Sequence, residues 1–144
     1  MSHAAKAIAI HCMDFRFIHE LVHYFKAQRL DRQYDDVSAA GGAKNLADAY
    51  DPSDTEFVLR QIALAKKLHG VTSVYLINHL DCGAYGKIFA NPAEEMERHT
   101  RDLTKAKQLV ERRFEDLTVK TVIAGIKPEG QVYFEEIETP SGRV

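Results

Sequence analysis

The chain has 144 residues, of which 45% are hydrophobic and 28% charged, with a formal net charge of -2. That balance suits one soluble domain, 1–144, with a real core, and it lacks the Lys and Arg excess of a nucleic-acid surface. The opening residues lack the basic start and apolar stretch of a secretory signal, and no apolar run approaches the length of a membrane span, so the expected location is the cytoplasm.

Ala5 to His11 is a short apolar run of the kind that forms a buried strand, and its end delivers Cys12. Phe17, Ile18, Leu21, Val22 and Phe25 then recur at helical spacing, with Arg16, His19, Glu20, His23 and Lys26 mostly on the other side. Gln33 to Ala40 reads as a weaker strand ending in Gly41-Gly42, where the backbone can adopt positive φ or approach a neighbour closely. Ala43 to Asp51 reads as an irregular loop. Ser53 with Glu56 has capping-box spacing, and Phe57, Ile62, Ala63, Ala65 and Leu68 mark a helix that Gly70 closes. Val71 to Asn78 is the clearest strand and runs directly into His79. Asn91 as cap, Pro92 at the first helical position and Glu94 three residues after the cap open a long helix, to about Phe114. Leu117 to Ile126 is a further strand, Lys127-Pro128-Glu129-Gly130 a turn, and Gln131 to Ile137 a final strand at an antiparallel edge. Thr139 to Val144 reads as a loose tail or an arm laid on a partner.

Strands alternating with helices predict an α/β fold: a doubly wound, mostly parallel sheet in the order 2-1-3-4, with an antiparallel edge strand and helices on both faces. In that order the first and third strands are neighbours whose connections leave for opposite faces. Ligands bind such sheets at this switch point, beyond the carboxyl ends of the strands. Cys12 ends the first strand and His79 the third. In a reducing compartment the two cysteines are better read as metal-binding or reactive thiols than as a disulfide. Cys12, His79 and Cys82 make a two-thiolate, one-imidazole set suited to zinc, with one tetrahedral position left over for catalysis.

Cys12-x-Asp14-x-Arg16, His79-x-x-Cys82-Gly83 and Ala40-Gly41-Gly42 resemble the signature of the beta-class carbonic anhydrases, and the resemblance runs over about residues 6 to 126. It implies that Cys12, His79 and Cys82 bind one zinc ion per chain, that Asp14 and Arg16 form the catalytic dyad, and that Phe15, Gly41, Gly42 and Gly83 belong to the pocket and its loop. The implied activity is that of a zinc lyase, reversible hydration of carbon dioxide to bicarbonate by zinc-bound hydroxide. The implied assembly is a homodimer or higher even oligomer. Side-chain chemistry supports these roles, because two thiolates and a neutral imidazole cancel the charge of the ion and a nearby acceptor would then help. Asp14 can be that acceptor if Arg16 holds its carboxylate in a bidentate pair. No proton carrier stands out among Tyr85, His99 and the carboxylates.

Phe15 stands where that family usually has a small residue, Ser38-Ala39 where it has Arg-Asn, and Arg60-Gln61-Ile62 where Arg-Ser-Leu is often found. The family's N-terminal helical arm has essentially no counterpart in this sequence. These departures bear on catalytic efficiency and leave the zinc donors intact. One alternative is hydrolysis of carbon disulfide or carbonyl sulfide on the same zinc site, with Phe15 lining a narrow apolar entrance. Another is a non-catalytic zinc-binding module with Asp14 on the metal. His19-Glu20-Leu21-Val22-His23 matches the His-Glu-x-x-His pattern of zinc peptidases, but no third ligand follows and both imidazoles share the polar side of their helix. A solvated or subunit-facing surface explains them better. The interval from Cys12 to Arg16 is too short for the phosphate cradle of a thiol phosphatase.

Overall fold

The computed structural model describes residues 3–143. Its elements are β1 (Ala7–His11), α1 (Ile18–Ala27), β2 (Tyr34–Ser38), α2 (Lys44–Ala47), α3 (Pro52–His69), β3 (Ser73–His79), α4 (Pro92–Arg113), β4 (Thr118–Ile126) and β5 (Val132–Ile137). The sheet runs β2-β1-β3-β4-β5, parallel throughout except for the last pair. This is the doubly wound α/β arrangement expected from the sequence, with its antiparallel edge strand. Among the described residues no helix is long and apolar enough to cross a membrane.

Alternation along the strands builds two cores. Ile8 and Ile10 of β1, Val74 and Leu76 of β3, and Val119 and Ile123 of β4 pack with Ile62 of α3 and Leu103 of α4. On the other face Ala7, Ala9, Tyr75, Ile77 and Val122 meet Leu21 and Phe25 of α1. The two alanines of β1 leave room there for large rings: Phe25 stacks on Tyr34 at 4.2 Å between centroids and meets Tyr75 edge-on at 5.2 Å. Burying a side chain of this size stabilises the fold by roughly 2–3 kcal/mol. Because β1 is followed by α1 on one face and β3 by α4 on the other, the cleft between their carboxyl ends is the switch point.

Some details differ from the sequence-based expectation. The cap of α3 is Asp51, whose carboxylate accepts a hydrogen bond from the Ser53 amide at 2.9 Å, because Pro52 already satisfies the first helical position. Within the expected loop 43–51 the chain makes the short α2. Ile18 and Val22 of α1 and Phe57 and Leu68 of α3 lie on outer faces and are exposed, since Leu21 and Phe25, and Val58, Leu59, Ile62 and Ala65, suffice to cover the sheet. The caps at Gly70 (φ 68°) and Asn91 are as expected.

The expected loose tail is instead fastened to its own chain as far as Arg143; Val144 lies outside the described residues. Thr139 is buried with its hydroxyl 2.9 Å from that of Thr121, the Ser141 hydroxyl and Gly142 amide donate to Glu111, and Arg143 donates to the Phe114 and Leu117 carbonyls. The segment is a strap along the end of α4.

Gly42 has a φ of +54°, and a Cβ built on it would run into the Ile77 carbonyl oxygen. Gly42→Ala is therefore expected to destabilise the protein by about 2 kcal/mol or more, through overpacking added to backbone strain. Thermal melting should show a midpoint lowered by roughly 4–8 °C.

Candidate metal centre and active site

β1 carries Cys12 immediately past its end, and β3 carries His79 as its last residue, with Cys82 three residues on. The parallel pairing of β1 with β3 brings these ends together. The Cys12 and Cys82 sulfurs lie 3.9 Å apart, and one donor atom from each of Cys12, His79 and Cys82 falls within 4.8 Å of the others. Cys82 and His79 are buried and Cys12 partly so.

His79 is held for ligation. Its Nδ1 hydrogen-bonds to the Leu80 carbonyl at 2.8 Å, so Nδ1 carries the proton and Nε2 presents a lone pair. Nε2 is buried with no hydrogen-bond partner, a costly arrangement that a metal ion would relieve. The Cys12 sulfur accepts from the Gly41 amide at 3.4 Å, and its hydrogen bond with Cys82 holds its pKa down to about 4. The same hydrogen bond, with burial, in turn pushes the Cys82 thiol up. Two sulfurs at this separation suit Zn–S bonds of about 2.3 Å in tetrahedral geometry. The residues fit a zinc ion.

Beside them lies the Asp14 carboxylate, its Oδ2 3.6 Å from His79 Nε2. Arg16 donates from Nη2 to Oδ2 at 2.7 Å and from Nε to Oδ1 at 3.0 Å, and its amide donates to Oδ1 at 2.9 Å. These bonds hold Asp14 down to about 2, well below the ordinary carboxylate range. Arg16 is itself fixed by Asp81, whose carboxylate and carbonyl accept from Nη1 and Nη2 at 3.1 and 2.9 Å. Asp81 adopts φ +57°, which turns its carbonyl to the guanidinium, and Glu95 accepts from its amide. Asp81 is a positioning residue that the sequence reading passed over; its place inside His79-x-x-Cys82 was the available signal.

Asp14, Phe15, Arg16, Cys82, Gly83 and Lys87 line an open cleft of about 570 Å³. Phe15 is 87% exposed and lines the cleft at its rim. Gly83 lines the cleft with open space where a Cβ would go. Gly41 and Gly42 lie behind the donors, where Gly41 meets the Cys12 sulfur and Gly42 packs on β3.

A buried polar network backs the site. Asn78 accepts from the Ala43 amide at 2.9 Å and donates to the Tyr85 hydroxyl at 3.0 Å and to His99 Nδ1 at 3.1 Å, while Tyr85 donates to Asp102 at 2.7 Å. Tyr85 and His99 are enclosed in this network. Burial holds His99 down to about 4. A histidine kept neutral in the fold favours the unfolded chain once protons can bind there, so stability is full above about pH 6.5 and falls as pH drops towards 4. His99→Gln is expected to shrink the drop in melting temperature between these limits; an unchanged slope in calorimetric scans would remove His99 from the effect.

Residues 2–133 match the protein-family model described as "Putative carbonic anhydrase". The chain belongs to that family. Its strand order and its split Cys and His-x-x-Cys segments make it a divergent beta-class carbonic anhydrase family member. Among relatives of this carbonic anhydrase-like chain, an uncharacterized protein of Rickettsia bellii (strain RML369-C) is 29% identical over 127 residues, 85% of this chain and 77% of that protein. The carbonic anhydrase from Streptococcus mutans shares the fold at a TM-score of 0.56 and 19% identity, covering 96% of this chain and 86% of its own. The apo form of a carbon disulfide hydrolase does so at 0.54 and 12%, covering 87% and 76%.

Proposed function

We propose that the protein is a zinc-dependent enzyme that hydrates carbon dioxide reversibly, giving bicarbonate and a proton. The observation that carries this reading is the buried, partnerless His79 Nε2 between two cysteine sulfurs, beside a carboxylate held by arginine. A zinc ion held by Cys12, His79 and Cys82 would supply the Lewis acidity that makes water nucleophilic near neutral pH.

The protein's own groups do the rest. Asp14 stays ionised across the neutral range, so it is acceptor-only and can orient a water O–H without giving up a proton. Arg16 fills the outward lobes of both oxygens and keeps the carboxylate from swinging. A base this weak does not retain the proton, which passes to buffer through the open cleft. The exposed rim around Phe15 admits a small linear molecule without rearrangement.

Stopped-flow carbon dioxide hydration across pH, on protein of known zinc content, tests the proposal. A zinc-dependent rate rising with pH supports it. Full zinc without hydration removes it. Hydrogen sulfide release from carbon disulfide or carbonyl sulfide would then move the same site to sulfur substrates. With neither activity, the 3.6 Å approach of Asp14 to His79 Nε2 favours a closed, non-catalytic zinc module.

The proposal extends to self-association as a dimer or higher even oligomer. Phe57, Leu64 and Leu68 share one exposed side of α3, an apolar stripe that a second copy would cover. Light scattering on the eluting protein gives the mass that decides it.

A further inference from the structure

We propose that α1 carries a second divalent-cation site, made by Nε2 of His19 and Nε2 of His23, that takes an exchangeable borderline ion such as zinc. The two residues stand one helical turn apart on the exposed side of α1. Their Nε2 atoms converge to 3.2 Å, with the rings edge-to-face at 4.6 Å between centroids. Two nitrogens at that separation, each at a Zn–N distance of about 2.0–2.1 Å, subtend roughly 100° at the ion, close to the tetrahedral angle. In the free protein one Nε2–H can donate to the other Nε2. On binding, that ring carries its proton at Nδ1 instead, and the cation takes both Nε2 lone pairs.

The backbone beneath the pair is firmly placed. Leu21, between the two histidines, and Phe25, just beyond them, are buried against the sheet, and Phe25 is wedged between Tyr34 and Tyr75. Little ordering is left to be done on binding, so the imidazoles act as a chelating pair. Among the described residues no third histidine, cysteine or carboxylate joins them as a cluster of three. Water fills the remaining positions, which makes the site one for reversible binding and leaves the peptidase pattern without its third ligand. The cluster of Cys12, His79 and Cys82 is a separate donor set with thiolates, and the softer site fills first.

Calorimetric titration of zinc into protein already carrying one tightly held zinc per chain tests this. The expected result is a second equivalent in the micromolar range, weakened on the order of tenfold or more in His19→Gln and in His23→Gln because each loses the chelate, and unchanged in His3→Gln. Both histidines are exposed, and unchanged circular dichroism would show that the variants fold. The proposal is overturned if the parent takes up no second equivalent, if the double variant retains it at the same affinity, or if His3→Gln is the variant that removes it.

Discussion

Asp14→Ala is expected to keep about one zinc per chain while carbon dioxide hydration falls by about a hundredfold, the usual scale for loss of a positioned proton acceptor. The metal should stay because the three donors are Cys12, His79 and Cys82, none of which depends on the Asp14 side chain for its place: His79 is oriented by the Leu80 carbonyl and Cys12 by the Gly41 amide. The rate should fall because Arg16 aligns the Asp14 carboxylate and nothing else among the described residues accepts at that position. The loss should be uniform across the neutral range, since the parent carboxylate is ionised down to about pH 2. Asp14→Asn makes a sharper comparison, because an amide NH₂ facing the Arg16 guanidinium cannot reproduce the pair. Zinc content by mass spectrometry and rate by stopped flow, on the same preparation, decide the matter; an unchanged rate would remove Asp14 from the chemistry.

Cys82→Ser is expected to reduce zinc after dialysis from about one per chain to under roughly a tenth, with hydration falling in proportion. A serine hydroxyl is not deprotonated by zinc as a thiol is, so the site would lose a charged donor as well as a soft one. The same change removes the thiol whose hydrogen bond makes Cys12 more acidic, so the remaining thiolate is harder to form. Fold collapse is not the expected cause, since the hydroxyl is smaller than the thiol and Cys82 precedes a single 3-10 turn, Gly83–Tyr85, outside the sheet. Circular dichroism of the metal-free parent gives the reference. Retention of full zinc would overturn the ligand assignment.

The features most legible in the sequence were those written in short range. β3 announced itself through its β-branched and aromatic residues, and Gly70 and Asn91 ended and began helices through the chemistry of single residues. The meeting of Cys12 with His79 and Cys82 followed from strand order, because parallel neighbours bring like ends together. Legibility failed where distant segments compete for the same space. Whether Phe57 or Val58 faces the sheet depends on how α3 is rotated, which its mixed apolar pattern does not fix. Asn78 looked like one more strand residue, yet it joins Ala43, Tyr85 and His99, three segments with no local relation. The strap at the end of the chain escaped for a similar reason: Glu111 sits among many charged residues of α4, and nothing nearby marks it as the acceptor for Ser141 and Gly142.

The two outer strands of the sheet carry adjacent acids, Asp35 and Asp36 in β2 and Glu135 and Glu136 in β5. An open strand invites hydrogen bonding from another chain, and carboxylates at its middle oppose that by repulsion and by the cost of desolvating them. On β2 these carboxylates also hold His69 and His11, whereas Glu135 and Glu136 are exposed and guard the β5 margin against strand-to-strand stacking of copies. The acids thus act as guards against aggregation, and they leave the helical faces as the surfaces through which copies of the chain can meet.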